Sequence, residues 1–130
     1  MNAKTRENLL TALHGEAFAY AKYMLFAEHA RQAGRADLAQ LFEKTAHTEQ
    51  FEHFAEEAEL AGIVGSDVEN LKDAIAGESY EVETMYREFA DQARAVGDIA
   101  AADRFMEVLG DERKHRDAFT AALQQLEVAG

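Results

Sequence analysis

The sequence predicts an all-α protein built as a four-helix bundle, and three observations carry that reading. No proline occurs in 130 residues. Ala, Leu, Glu, Gln, Lys and Arg, which lose least on entering a helix, are abundant. Glycines at 34, at 62 and 65, and at 97 fall where helices would end. They divide the chain into helices over residues 5–33, 36–61, 67–96 and 98–127. In the first, Leu9, Leu13, Ala17, Tyr20 and Met24 recur at helical spacing. The second follows the Gly34 break with the same periodicity. The third has a clear start, because Ser66 followed by Glu69 three residues later matches a capping box. In the fourth, Phe105, Val108 and Leu109 form the apolar stripe. Four such amphipathic helices on short connections bury their stripes against one another.

Length makes residues 1–130 one domain, with hairpin one at 5–61 and hairpin two at 67–127. With 48% of residues hydrophobic, the chain can build a core despite 25 acidic against 13 basic side chains. The resulting charge of −12 repels phosphate backbones and anionic lipid headgroups, so neither nucleic acid nor a membrane surface is expected as a partner. The absence of cysteine excludes disulfides, a thiol nucleophile and thiolate metal sites. Any metal must therefore be held by oxygen and nitrogen. No secretory signal and no window of about 18 apolar residues is visible, and a cytoplasmic location is expected.

The two halves repeat. Glu7, Asn8, Leu9, Ala12, Gly15 and Glu16 recur 62 residues later as Glu69, Asn70, Leu71, Ala74, Gly77 and Glu78. From Phe26 the offset becomes 63, where Phe26, Ala27, Gly34, Ala39, Phe42 and Glu49 match Phe89, Ala90, Gly97, Ala102, Phe105 and Glu112. A duplicated helical hairpin follows. The change of offset puts one extra residue in the third helix between Glu78 and Phe89. It is absorbed either as a π-bulge or as a slight rotation of the whole helix.

Four glutamates sit on the apolar stripes. Glu16 follows Leu9 and Leu13, Glu49 is in line with Phe42, Glu78 with Leu71, and Glu112 with Phe105 and Val108. An isolated carboxylate in an apolar interior costs several kcal/mol, so four of them demand a cation. Heights agree as well. At about 1.5 Å per residue, Glu16 lies roughly 27 Å before the Gly34 turn and Glu49 roughly 23 Å after it. Glu78 and Glu112 flank Gly97 in the same way. Glu81 stands one turn beyond Glu78, and Glu112 with His115 forms a Glu-x-x-His pair on one face. A Glu from each of two helices plus paired ligands from the other two is an arrangement that holds two metal ions in a bundle core. Carboxylate-rich sites with imidazole suit iron, and manganese or zinc could substitute.

The segments GEAFAYAKYMLFAEHARQAG, LFEKTAHTEQFEH, AGESYEVETMYREFA and DERKHRDAF together resemble the diiron domain of rubrerythrins, within the ferritin-like superfamily. The resemblance spans nearly the whole chain. It implies a non-haem diiron oxidoreductase that reduces hydrogen peroxide to water, with Glu16, Glu49, Glu78, Glu81, Glu112 and His115 binding two irons and Glu49 and Glu112 bridging. Tyr23 and Tyr86 match tyrosines near the family's metal site and are candidate catalytic residues, with Glu81 and Glu52 as proton relays. A ferroxidase that handles iron with oxygen is the alternative. Two departures stand out. Without cysteine this chain holds no rubredoxin domain, so electrons are expected from an external donor such as a rubredoxin or a reductase. The second helix should read Glu-x-x-His, yet the aligned residue is Glu52, taken here as a seventh metal ligand, with His53 as the alternative four residues from Glu49. The acid run Glu56, Glu57, Glu59 reads as a solvated face, and His14, His29 and His47 lie off the glutamate stripe.

A ferritin-like arrangement requires the link between helices two and three to cover about 34 Å, whereas residues 62–66 reach only about 20 Å when extended. Either the bundle is plainly up-down-up-down, or two chains exchange hairpins in a homodimer. One relative in the family that this chain resembles, also without a rubredoxin domain, shows such a swap, and the swapped dimer is expected.

Overall fold

The computed structural model describes residues 1–129 and contains, among them, four helices and no strand. Helix α1 is Ala3–Gln32, opened by Asn2, whose side chain accepts from the Lys4 N–H at 2.8 Å. It ends at Gly34, where φ of +74° turns the chain left-handed. Helix α2 covers residues 36–61: α-helical over Ala36–Thr48, π-helical over Glu49–Phe54, and α-helical again over Ala55–Ala61. Helix α3 covers residues 67–95, with a π segment at Glu81–Met85 between Asp67–Tyr80 and Tyr86–Ala95. Both halves of the Ser66–Glu69 capping box are formed. Helix α4 is Ile99–Ala129.

The chain forms two compact units, Met1–Val64 and the residues from Gly65 onward, each an antiparallel helical hairpin. In the first, the Arg31–Glu43 ion pair lies beside the turn and Arg6 donates to the Ala61 carbonyl at the open end. In the second, Arg94 meets Asp103 at 3.7 Å beside its turn.

Alanine sets the helix spacing. Ala27, Ala39 and Ala46 are buried in the first hairpin, and their repeat partners Ala90, Ala102 and Leu109 are buried in the second. Small side chains at these contacts let the backbones approach closely. Around them, Tyr23, Phe26 and Phe42 pack with ring centroids 5.4–6.2 Å apart, and Tyr86, Phe89 and Phe105 do the same at 5.6–6.4 Å. Beyond this seam, large apolar side chains stay bare: Phe18 is 69% exposed and Leu25 71%. Among the described residues, no helix is long and apolar enough to cross a membrane.

Candidate metal centre

In the first hairpin, α1 supplies Glu16 and the π segment of α2 supplies Glu49 and His53. His53 Nδ1 lies 3.3 Å from Glu49 Oε2 and 3.6 Å from Glu16 Oε2. In the second, α3 supplies Glu78 and α4 supplies Glu112 and His115. His115 Nδ1 lies 3.3 Å from Glu112 Oε2 and 3.7 Å from Glu78 Oε1. Each trio offers three ligand atoms within 4.8 Å of one another, a spacing that could hold a metal ion. The glutamates are largely withdrawn from water, with side chains 17–24% exposed, while the imidazoles remain half exposed.

The trios correspond across the repeat, with one difference. Glu112 and His115 are three residues apart on a regular α-helix, whereas Glu49 and His53 are four apart. The π segment takes up the additional residue and restores His53 to the position of His115. Burial follows the same shift: Phe54, Glu57, Ala58 and Ala61 turn inward in α2, as Arg116, Phe119, Thr120 and Leu123 do in α4, all 62 residues on. Glu52 is thereby left exposed and outside the trio. Glu52 is the residue aligned with the Glu-x-x-His pattern, whereas His53, the alternative, is the one that stands with Glu16 and Glu49. The signal was available in the sequence, since the histidines are offset by 62 while Glu49 and Glu112 are offset by 63.

The second π segment, Glu81–Met85, lies where the repeat required one extra residue. It keeps Tyr86 and Phe89 in the aromatic triad although they stand one residue further from Glu78 than Tyr23 and Phe26 stand from Glu16. Glu81 has no carboxylate counterpart in the first hairpin, where the repeat places Ala19.

The electrostatics of the second trio call for a cation. Glu78 is raised to about 7, first by its hydrogen bond with Glu112, then by burial and the charges of Glu112 and Glu81. Glu112 is lowered, mainly because it accepts that bond. Burial and like charge thus favour the protonated form of Glu78. Glu81 is raised by burial and by Glu112, and the Tyr86 phenol by burial and by Glu81, Glu112 and Glu78. Glu78 Oε2 is buried with no hydrogen-bond partner. An orphaned carboxylate oxygen among like charges and an imidazole fits a divalent metal.

Elsewhere, His14 and His29 are exposed, and His47 stacks on Phe51 with centroids 4.5 Å apart. Glu57 departs from the solvated face expected for the acid run. It is half-buried, and its Oε2 has no partner.

Helical hairpins carrying glutamate–histidine trios place the chain in the class of all-α, ferritin-like proteins with carboxylate-rich metal-binding groups. The family model for rubrerythrin matches residues 7–53 and 48–123. Rubrerythrin of Porphyromonas gingivalis is 34% identical over 137 residues, covering 96% of this chain and 68% of that protein. A putative rubrerythrin of Methanocaldococcus jannaschii is 30% identical, covering 95% and 71% of the two chains. Nigerythrin of Nitratidesulfovibrio vulgaris is 32% identical, covering 95% and 67%. The chain belongs to the rubrerythrin family, a family of diiron oxidoreductases.

Proposed function

We propose that this protein is a cytoplasmic diiron peroxidase that reduces hydrogen peroxide to water with electrons from a separate redox protein. The balanced reaction is H2O2 + 2 H+ + 2 e− → 2 H2O. The observation that carries this reading is the pair of equivalent trios, Glu16–Glu49–His53 and Glu78–Glu112–His115. Two iron ions bound by these residues and Glu81 would supply the two electrons and the Lewis acidity for cleaving the O–O bond. In this reading Glu16, Glu49 and His53 of the first hairpin and Glu78, Glu81, Glu112 and His115 of the second would hold the irons. The Tyr23 and Tyr86 hydroxyls, each in an aromatic triad, limit the entry of water and orient peroxide.

The same reading joins hairpin one of one chain to hairpin two of a second copy, in a homodimer with two complete sites. Support comes from the link of residues 62–66, shorter than a ferritin-like crossover needs, and from the bare apolar faces of α1 and α2.

The deciding experiment is metal analysis followed by stopped-flow mixing of the iron(II)-loaded protein with peroxide or with oxygen. Two irons per chain and much faster oxidation by peroxide are expected. Faster reaction with oxygen, or accumulation of many irons per chain, would replace the peroxidase by an iron-storage ferroxidase.

A further inference from the structure

The π segment of α3 is held by an arginine that the metal chemistry does not use. The Tyr86 N–H bonds the Glu81 carbonyl, five residues back, while Arg87 Nε donates to the Val82 carbonyl at 3.2 Å. In a regular α-helix the Val82 carbonyl would take the Tyr86 N–H. The guanidinium therefore bonds, and competes for, the acceptor that Tyr86 would take if the π turn became an α turn. Val82 is 2% exposed, so its carbonyl has little access to water and gains most from a charged donor. Arg116 also approaches this segment, 3.6 Å from Glu83, but Glu83 is 68% exposed and such a pair contributes little.

Register matters here because each residue added to a regular helix turns the next by about 100°. Tyr86 and Phe89 are anchored against Phe105 on α4. A switch to α geometry would consequently rotate the other side of the turn, carrying Glu81 away from Glu78 and Glu112. We infer that Arg87 is a positioning residue that locks the π register of α3 and thereby keeps Glu81 with the carboxylates of the second trio. This inference rests on the metal-binding reading of that trio, and it concerns a residue outside the ligand set.

The test uses the full chain and three substitutions: Arg87→Ala, Arg87→Lys and Glu81→Gln. Register is read in metal-free protein from through-hydrogen-bond couplings between the Tyr86 amide nitrogen and a carbonyl carbon. Wild type and Arg87→Lys should couple to Glu81, and Arg87→Ala to Val82. Metal affinity is read by Co2+ titration. Arg87→Ala should weaken binding by roughly tenfold or more, the usual cost of losing a partner behind a ligand. Arg87→Lys should recover part of that loss. In the Glu81→Gln background, Arg87→Ala should have no further effect. Coupling to Glu81 that persists in Arg87→Ala overturns the inference, as does unchanged Co2+ affinity in that variant. Wild type that takes up no Co2+ defeats the metal reading and Arg87's role toward a metal, while the couplings still decide whether Arg87 sets the register.

Discussion

Without metal, the protein should lose stability between about pH 5 and pH 8, and Glu78→Gln should abolish most of that loss. In the folded chain Glu78 is raised from 4.5 to about 7. Its side chain is only 18% exposed, so solvent screens the interaction little. The sign follows from proton release. Below pH 4.5 the carboxyl is protonated in both folded and unfolded chains. As pH rises toward 7, the unfolded chain gives up the proton while the folded chain retains it, so folding weakens. Above 7 the full gap is reached, at most about 3–4 kcal/mol at 1.36 kcal/mol per pKa unit. Glu81, also raised, adds in the same direction. Glu112 is lowered, and its contribution is lost only as pH falls below 4.5, outside this window. Urea unfolding of chelator-treated protein, followed by circular dichroism at fixed chain concentration, measures the effect. Glu78→Gln keeps a hydrogen-bond donor toward Glu112 without the charge, so it should be nearly flat across the window and more stable than wild type near pH 8. A wild-type stability that changes no more than that of Glu78→Gln would refute the argument that these carboxyls repel one another.

Three further outcomes are expected. His53→Ala should weaken Co2+ binding at the first trio by roughly 10- to 100-fold, whereas Glu52→Gln should leave it within about twofold, as calorimetric titration would show. Leu13→Ala, at a core position 3% exposed, should cost about 2–4 kcal/mol in urea unfolding, with nothing beyond that loss expected in metal stoichiometry. If hairpins exchange between chains, mixing a Glu16→Gln/Glu49→Gln chain with a Glu78→Gln/Glu112→Gln chain should regenerate one intact site per heterodimer. Peroxidase activity that fails to return after co-refolding would exclude the exchange.

Much of the fold could be read from residue type and spacing. Proline-free segments between Gly34, Gly62 and Gly97 became helices, with all three glycines at positive φ. The Ser66 start appeared with both of its hydrogen bonds. The extra residue before Phe89 became a π segment because Glu78 and the Tyr86–Phe89–Phe105 cluster both belong on one side of α3, and a regular helix cannot present both. The π segment of α2 was harder to see. Its insertion sits between Glu49 and His53, too close to the glutamate for the pattern of apolar residues to register it, and Glu52 at the customary third position masks it. Glu57 reads as part of an acidic, solvated run, yet the structure half-buries it. Beyond the π turn it takes the position of Phe119.

Both insertions fall within one turn of a candidate ligand, one in each copy of the hairpin, and they do different things. In α2 the added residue substitutes one spacing for another and leaves the trio equivalent to its counterpart. In α3 it allows the aromatic triad to stay in place beyond Glu81, a carboxylate with no equivalent in the first hairpin. The second hairpin consequently gathers three carboxylates around one histidine, the first only two. Like charges at such spacing are tolerated only with a proton or a cation between them. The raised Glu78 and Glu81 reflect that demand in the metal-free chain, and a divalent ion between the carboxylates would relieve it. Duplication thus accounts for the shared trios, while Glu81, at the repeat position of Ala19, accounts for the unequal charge of the two hairpins.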